Sequence, residues 1–142
     1  MVTEKQTAGR GRRGRTWISP EGNCYFSMLL RPDVRMDSAP VITLIAAMAM
    51  AKAVRETANL DTQIKWPNDV IASGKKLCGI LTESSTDLEY IHYVVVGIGV
   101  NCNQVEFPEE IRDMASSILL ETGRKVNRAK LRKEPDMLLA PT

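Results

Sequence analysis

The chain has 142 residues and a net charge of +2, and 25% of its residues are charged. This length suits one domain with a buried core and is hardly sufficient for two. The apolar share of 44% is that of an ordinary globular protein, and the balanced charge gives no general affinity for nucleic acid.

Neither a membrane protein nor a disulfide-rich secreted protein is indicated. The longest apolar stretch, residues 39–51, is too short to cross a bilayer, and the N-terminus lacks the apolar segment of a signal peptide. Cys24, Cys78 and Cys102 are odd in number and widely spaced, and His92 is the only histidine, which argues against a disulfide framework or a zinc site. We therefore predict a cytoplasmic protein with no membrane partner.

The first half of the chain predicts a loop, a strand and a long helix. Residues 3–23 are rich in glycine and arginine and lack apolar periodicity, which is typical of a loop. Residues 24–30 are apolar or aromatic on both alternating faces, as in a buried strand. Apolar residues at three- and four-residue spacing over 38–59 predict a helix that Asp37 or Ser38 can cap and that Asn59 ends.

The second half predicts strands joined by short turns, followed by weaker helical segments. The strands are expected at 62–66, 69–73, 76–85 and 90–101, and the helices at 109–123 and 126–134. A long helix combined with hairpin-connected strands predicts one α+β domain over residues 1–142, with helices packed on a largely antiparallel mixed sheet.

The segment GRGRRGR at 9–15 contains three glycines and four arginines. Glycine lets the backbone approach a ligand closely, and arginine offers fixed donors to phosphate or carboxylate. A solvated basic loop or an RNA-binding segment explains the same residues, and this motif alone does not separate the two interpretations.

The segment KWPNDV at 65–70 brings a cation, an amide and a carboxylate around a proline turn. Taken alone, this motif is better explained by Trp66 and Pro67 as core and turn residues. Lys65, Asn68 and Asp69 form a candidate phosphate and Mg²⁺ neighbourhood, because Mg²⁺ needs only one or two protein carboxylates.

Glycines interrupt two predicted strands, at Gly79 and at Gly97 and Gly99. Glycine weakens a strand unless something must approach the backbone there. Missing side chains on one face of neighbouring strands would leave a slot for a flat, mostly apolar ligand, although a bulge or tight sheet packing is an alternative.

These motifs occur together, in order, as QTAGRGRRGRTWISP, KWPNDV, KLCGIL and GIGVNCN. In that combination the chain closely resembles the catalytic domain of biotin–protein ligases, from about Thr3 to Arg132. Lipoate ligases share the fold but carry a different glycine-rich loop, so they match less well. The resemblance implies ATP-dependent activation of biotin to biotinyl-AMP and transfer of biotin to a lysine of a biotin carboxyl carrier protein, with ATP, biotin and Mg²⁺ bound.

The resemblance also assigns roles to individual residues. It implies that Lys76 and Arg12 are catalytic and that Asp69 is a Mg²⁺ ligand. The implied biotin contacts are Gln6, Gly9, Arg10, Arg12, Lys76 and Gly79. The implied nucleotide contacts are Arg12, Trp17, Lys65, Asn68, Asp69 and Asn101.

Several expectations qualify this resemblance. By comparison with the family, we expect the chain to start inside the strand that leads to the glycine–arginine loop, without a small C-terminal domain or a DNA-binding helix-turn-helix. We therefore expect a partial catalytic domain whose activity alone is in doubt. A lipoate-type acyl-adenylating ligase and an inactive piece of the same fold are the alternatives, and a homodimer is compatible with the sequence.

The choice of Lys76 over Lys75 conflicts with strand geometry. Adjacent strand residues point to opposite faces, so a regular strand from Lys75 onward would place Lys75, and not Lys76, on the face of Gly79. The resemblance favours Lys76, because the lysine of the family directly precedes Leu-x-Gly-Ile-Leu.

Overall fold

The structure is a computed structural model that describes residues 2–11, 20–31, 39–86 and 91–132. Its centre is a six-stranded sheet in the order β1-β2-β6-β5-β4-β3, in which every neighbouring pair is antiparallel. The strands are β1 Val2–Thr3, β2 Cys24–Leu30, β3 Gln63–Lys65, β4 Asp69–Ala72, β5 Lys75–Thr86 and β6 Ile91–Val100. The predicted α+β class with a largely antiparallel sheet is confirmed.

One long helix, α1, covers one face of this sheet. It spans Ala39–Ala58, close to the predicted 38–59, while the predicted cap at Asp37 or Ser38 lies outside the described residues. Asn59 follows the helix with a φ of 53°, the left-handed conformation in which helices commonly end. None of the described helices is long and apolar enough to cross a membrane.

The core lies between α1 and the strands. Ala46, Met50 and Val54 are fully buried on α1, and Val96 and Val100 are fully buried on β6. The many alanines of α1 allow the helix to approach the sheet closely. Burial of apolar side chains on this face of the sheet is the main source of stability for the domain.

Short turns join the central strands as the sequence predicted. Ser73 and Gly74 both have positive φ, 51° and 77°, which suits a two-residue hairpin turn between β4 and β5. Residues 66–68 form a turn between β3 and β4, with a cis peptide bond between Trp66 and Pro67. Trp66 is 62% exposed, so the interpretation of this residue as a core residue is wrong.

The predicted helix over residues 109–123 is wrong in its first half. Residues 109–114 form turns, and the helix α2 is limited to Ile118–Thr122, where the Ser117 side chain caps Leu120 N at 3.1 Å. The reason is tertiary pairing, since Ala115 forms a parallel bridge with Lys76. Residues 128–132 are helical within the predicted 126–134.

Candidate active site

The face of the sheet opposite α1 has a floor of glycines. Gly79 on β5 lies directly opposite Gly99 on β6, and Leu81 lies opposite Gly97, so all four share this open face. A Cβ at Gly97 would meet its nearest atoms, Leu81 O and Ser27 Oγ, at 3.5 and 4.0 Å, which is ordinary contact. Tight sheet packing therefore does not require glycine at Gly97, and the open space above the strands remains as a slot.

A cavity of about 310 Å³ occupies this slot; we call it the glycine cavity. Strands β5 and β6 form its floor, and residues of the segment 6–11 cross it from the opposite side. Gly9 is buried between Ala8 and Arg10, both of which line the cavity. The sequence-predicted residues that line it are Gln6, Arg10, Asn68, Asp69, Lys76 and Gly79.

A second cavity, of about 570 Å³, lies beside the first. Much of its wall comes from residues 104–115, and we call it the loop cavity. The sequence-predicted residues that line it are Lys65, Asp69, Lys76 and Asn101. Asp69 and Lys76 therefore line both cavities.

The side chain of Lys76 lies on the open face because β5 contains a bulge. Val70 pairs with Cys78, but the next residue of β4, Ile71, pairs with Lys76, so Leu77 is an extra residue in β5. The bulge reverses the alternation and brings Lys76 to the face of Gly79. The regular strand that favoured Lys75 does not form, and the conflict within the sequence-based argument is removed.

An ion pair places the Lys76 side chain beside Asp69. Its Nζ lies 3.0 Å from Oδ1 of Asp69, and both side chains are partly buried, at 34% and 22% exposure. Asp69 is placed there because it pairs with Gly79 in the register between β4 and β5. A partly buried pair is screened less by solvent than a surface pair, so the ammonium is held where the two cavities meet.

The backbone of Lys76 is held by the segment that walls the loop cavity. Lys76 N donates to Met114 O at 2.8 Å, and Ser116 N donates to Lys76 O at 3.0 Å. Met114 and Ala115 line the loop cavity. The position of the lysine is thus connected by hydrogen bonds to the wall of the second cavity, a link that the sequence did not reveal.

The two predicted asparagines use their amides to fix the backbone at the cavity edges. Asn68 Nδ2 donates to Ile80 O at 2.9 Å, and Ile80 N donates back to Asn68 O at 3.1 Å. Asn101 Nδ2 donates to Ser116 O at 3.1 Å. Asn68 lines the glycine cavity, whereas Lys65 and Asn101, two other residues of its predicted nucleotide-binding set, line the loop cavity.

The glycine cavity has a second ion pair that the sequence analysis missed. Arg10 Nη2 lies 2.6 Å from Glu83 Oε1, and both residues line the cavity. Alternation along β5 places Glu83 on the face of Gly79 and Leu81, which is the signal that could have identified it. The predicted residues Arg12 and Trp17 lie outside the described residues.

The buried thiol behind the site has no part in nucleophilic chemistry. Cys78 is fully buried on the face toward α1, and burial raises the pKa of its thiol far above the usual range. Cys24 and Cys102 are also buried, and all three cysteines are free. A buried thiol with a raised pKa is a poor nucleophile, so we interpret Cys78 as a core residue.

Comparison with known proteins identifies relatives of this chain. The chain is 46% identical over 132 residues to the bifunctional ligase/repressor BirA of Bacillus subtilis, covering 91% of this chain and 41% of the relative. It is 42% identical over 103 residues to the biotin–[acetyl-CoA-carboxylase] ligase of Paracoccus denitrificans, covering 71% of this chain and 43% of the relative. The chain thus spans about four tenths of the length of these curated relatives.

A solved structure and a family model match as well. The biotin protein ligase of Aquifex aeolicus in complex with biotin and ATP superimposes with a TM-score of 0.83 at 37% identity, covering 97% of this chain and 59% of that one. The model of the biotin/lipoate A/B protein ligase family matches residues 1–101. The chain belongs to the biotin/lipoate A/B protein ligase family.

Proposed function

We propose that the chain activates biotin with ATP and transfers it to a lysine of a biotin carboxyl carrier protein. The observation that carries this proposal is the Lys76–Asp69 pair, which lies on the wall common to two neighbouring cavities. A cation on this shared wall can offset the repulsion between two anionic substrates that meet there. The relative named biotin–[acetyl-CoA-carboxylase] ligase and the biotin protein ligase solved with biotin and ATP support biotin over lipoate as the acyl substrate.

In the proposed first step, a carboxylate oxygen of biotin attacks the α-phosphorus of ATP. A bond forms between that oxygen and phosphorus, the bond to the bridging oxygen breaks, and pyrophosphate leaves with its electron pair. Two anions must approach each other, and Lys76 offsets this repulsion and the charge on the phosphoryl oxygens. Its fixed position lowers the barrier, because the donor is already oriented when the reactants meet.

In the proposed second step, the amine of the acceptor lysine attacks the carbonyl carbon of biotinyl-AMP. An amide bond forms, the bond to the phosphate oxygen breaks, and AMP leaves while the amine loses a proton. The adenylate hydrolyses readily in water, so the segment 6–11 across the glycine cavity serves to exclude solvent as well as to bind.

In this proposal each cavity binds one of the two substrates. We assign biotin to the glycine cavity, with Gln6, Gly9, Arg10 and Gly79 as contacts and its carboxylate toward Lys76. We assign the nucleotide to the loop cavity, with Lys65 and Asn101 as contacts. Arg12 and Trp17 keep their proposed roles from the resemblance, and Asn68 is proposed to support the cavity edge through its bonds to Ile80.

Asp69 fits a proposed Mg²⁺ site of the kind that relies on substrate phosphates. Its carboxylate lines both cavities, and no group of three or more histidine, cysteine or acidic residues in the described ranges forms a complete metal cage. Mg²⁺ typically combines one or two protein carboxylates with phosphate oxygens and water. When bound, the ion would neutralise charge on the phosphates of ATP.

We also propose a cytoplasmic location, because all three cysteines are free, which suits a reducing compartment, and because the reaction consumes ATP. The acceptor is proposed to be a carboxyl carrier protein, by analogy with the relative named for acetyl-CoA carboxylase.

The decisive experiment is isotope exchange between pyrophosphate and ATP. We expect exchange that requires biotin and Mg²⁺ and that lipoate does not support. Exchange with lipoate and not with biotin would contradict the proposal in favour of the related ligase. A parallel titration with biotin alone, followed calorimetrically, separates binding from turnover; binding without exchange would show a domain that holds biotin but cannot activate it.

A further inference from the structure

Two ion pairs lie at opposite ends of the glycine cavity. Lys76 and Asp69 form the first, and Arg10 and Glu83 form the second. Lys76 and Glu83 are both on β5, roughly 20 Å apart along the strand at about 3.3 Å per residue. The cavity between them has Gly79 and Leu81 on its floor.

Glu83 faces the cavity and not the core. It pairs with Val95 in the register between β5 and β6, and Val95 also lines the cavity. Both the Lys76 and the Glu83 side chains thus lie on the open face, but they have opposite charges and different partners. A carboxylate at the far end is unsuited to bind an anionic substrate, so a direct contact with phosphate does not explain Glu83.

The partner of Glu83 belongs to the segment that crosses the cavity. This segment is attached at its start, where Val2 and Thr3 pair with β2. Arg10 attaches it again on the other side, where its guanidinium meets Glu83. Gln6 and Ala8 lie between these attachments and line the cavity. The backbone of Arg10 also forms a β-bridge, and Glu4 pairs with Arg128, so the Arg10–Glu83 pair is one of several contacts that hold the segment.

We propose that Glu83 is a positioning residue that holds Arg10, and with it residues 6–11, across the glycine cavity. By holding this segment, Glu83 slows the release of a ligand from the glycine cavity and takes no part in the chemical step. We call the ion pair between Glu83 and Arg10 the latch. The pair is largely exposed, at 69% for Arg10 and 49% for Glu83, so solvent and salt screen it. A latch of this kind opens readily, as a site that must bind and release ligand requires.

The first test needs no ligand. Hydrogen exchange of the backbone amides of residues 6–11 should be faster in Glu83→Gln than in the unmodified chain, by about two- to fivefold, the range expected for an exposed ion pair. The matched control is Glu56→Gln, which removes another exposed ion pair, with Lys52 on α1, away from both cavities. The control should leave this exchange unchanged.

The second test measures function and rests on the proposed function, namely biotin in the glycine cavity. Glu83→Gln should raise the dissociation rate and the KM for biotin by about two- to fivefold with kcat for pyrophosphate exchange unchanged. The exchanged pair Arg10→Glu with Glu83→Arg should restore protection of residues 6–11, because the attraction is re-formed with opposite polarity.

The outcomes separate the two ideas. If the unmodified chain does not bind biotin, the proposed function is refuted, while the ligand-free exchange test of the latch remains valid. Normal biotin binding with identical amide exchange and dissociation in Glu83→Gln would overturn the latch. A fall in kcat with unchanged KM would also overturn it, since it would place Glu83 in the chemical step.

Discussion

The two faces of β5 and β6 differ sharply although they share the same backbone. Toward α1, the side chains of Cys78, Ile80, Val96 and Ile98 are at most 3% exposed. On the other face, the same strands present glycines at their centre and the charged Lys76 and Glu83 at either side. One face is almost entirely shielded from water, and the other leaves room for a ligand.

This difference shows how the domain keeps stability and chemistry apart. Outside the bulge, strand alternation directs most side chains of β5 and β6 to one face, so a substitution affects mainly the core or mainly the cavities. Helix α1 supplies the apolar burial, and the cavity face is left free of that requirement. Substitutions on the two faces should therefore have separable effects.

The largest effect is expected on the covered face. Met50 is fully buried on α1, so Met50→Ala should lower the free energy of unfolding by about 2–5 kcal/mol through lost burial and a residual cavity. Met48→Ala, at a position 54% exposed on the same helix, should change it by less than about 0.5 kcal/mol. Urea unfolding measures both. Equal effects at the two positions would contradict the assignment of the core.

On the open face, Lys76→Ala should lower the rate of biotin-dependent pyrophosphate exchange about 100- to 1000-fold, the usual cost of removing one group that stabilises a transition state. Lys75→Ala should stay within about twofold of the unmodified chain, because the bulge at Leu77 leaves Lys75 on the other side. Unfolding free energies should change little in either variant. A severe loss of exchange activity in Lys75→Ala, with normal activity in Lys76→Ala, would contradict the assignment of Lys76 to the open face.

A smaller effect is expected from filling the floor of the glycine cavity. Gly79→Val suits a strand backbone but projects a branched side chain toward the ligand, which should weaken biotin binding about 10- to 100-fold. The unfolding transition should remain cooperative, with a midpoint near that of the unmodified chain. Normal biotin affinity in this variant would contradict the assignment of the biotin site to the floor formed by β5.

The smallest effect is expected on the stability contributed by Tyr25. This residue lies on the open face, near the start of β2, but it is buried beside Asn23. Burial raises the pKa of Tyr25 to about 12, from an ordinary value near 10. Its neutral form therefore stabilises the fold below pH 10, and this contribution is lost as the pH rises through about 12.

Tyr25→Phe tests this contribution. The variant should be about 0.5–1.5 kcal/mol less stable at pH 8, because the hydroxyl no longer donates to Pro20 O or accepts from Asn23 Nδ2. The difference should narrow above pH 10, when the unfolded tyrosine ionises. Urea unfolding at several pH values measures it, and a constant difference up to pH 11.5 would contradict a neutral Tyr25.

The sequence was sufficient for elements that depend on local pattern. The helix Ala39–Ala58 and the turn at Ser73 and Gly74 follow from apolar spacing and from residues that tolerate positive φ. The glycine slot could also be predicted, because missing side chains at Gly97 and Gly99 are visible in the sequence and alternate to one face.

Features that depend on pairing partners could not be predicted in this way. The bulge at Leu77 exists because β4 and β5 shift register, which no property of Leu77 itself indicates. Helix α2 begins at Ile118 and not at residue 109, because hydrogen bonds between residues 114–116 and Lys76 override the helical pattern. Alternation gives the face of Glu83, but its ion pair with Arg10, a residue 73 positions away, could not be predicted.

The wall shared by the two cavities has a consequence for compounds that would block the site. A molecule that fills one cavity loses its translational and rotational freedom once, and a second molecule in the other cavity loses it again. A single compound that passes beside Lys76 and Asp69 loses this freedom only once while making both sets of contacts. With a linker that matches the span, its second half binds at an effective concentration in the millimolar range. Such two-cavity ligands should bind far more tightly than either half alone.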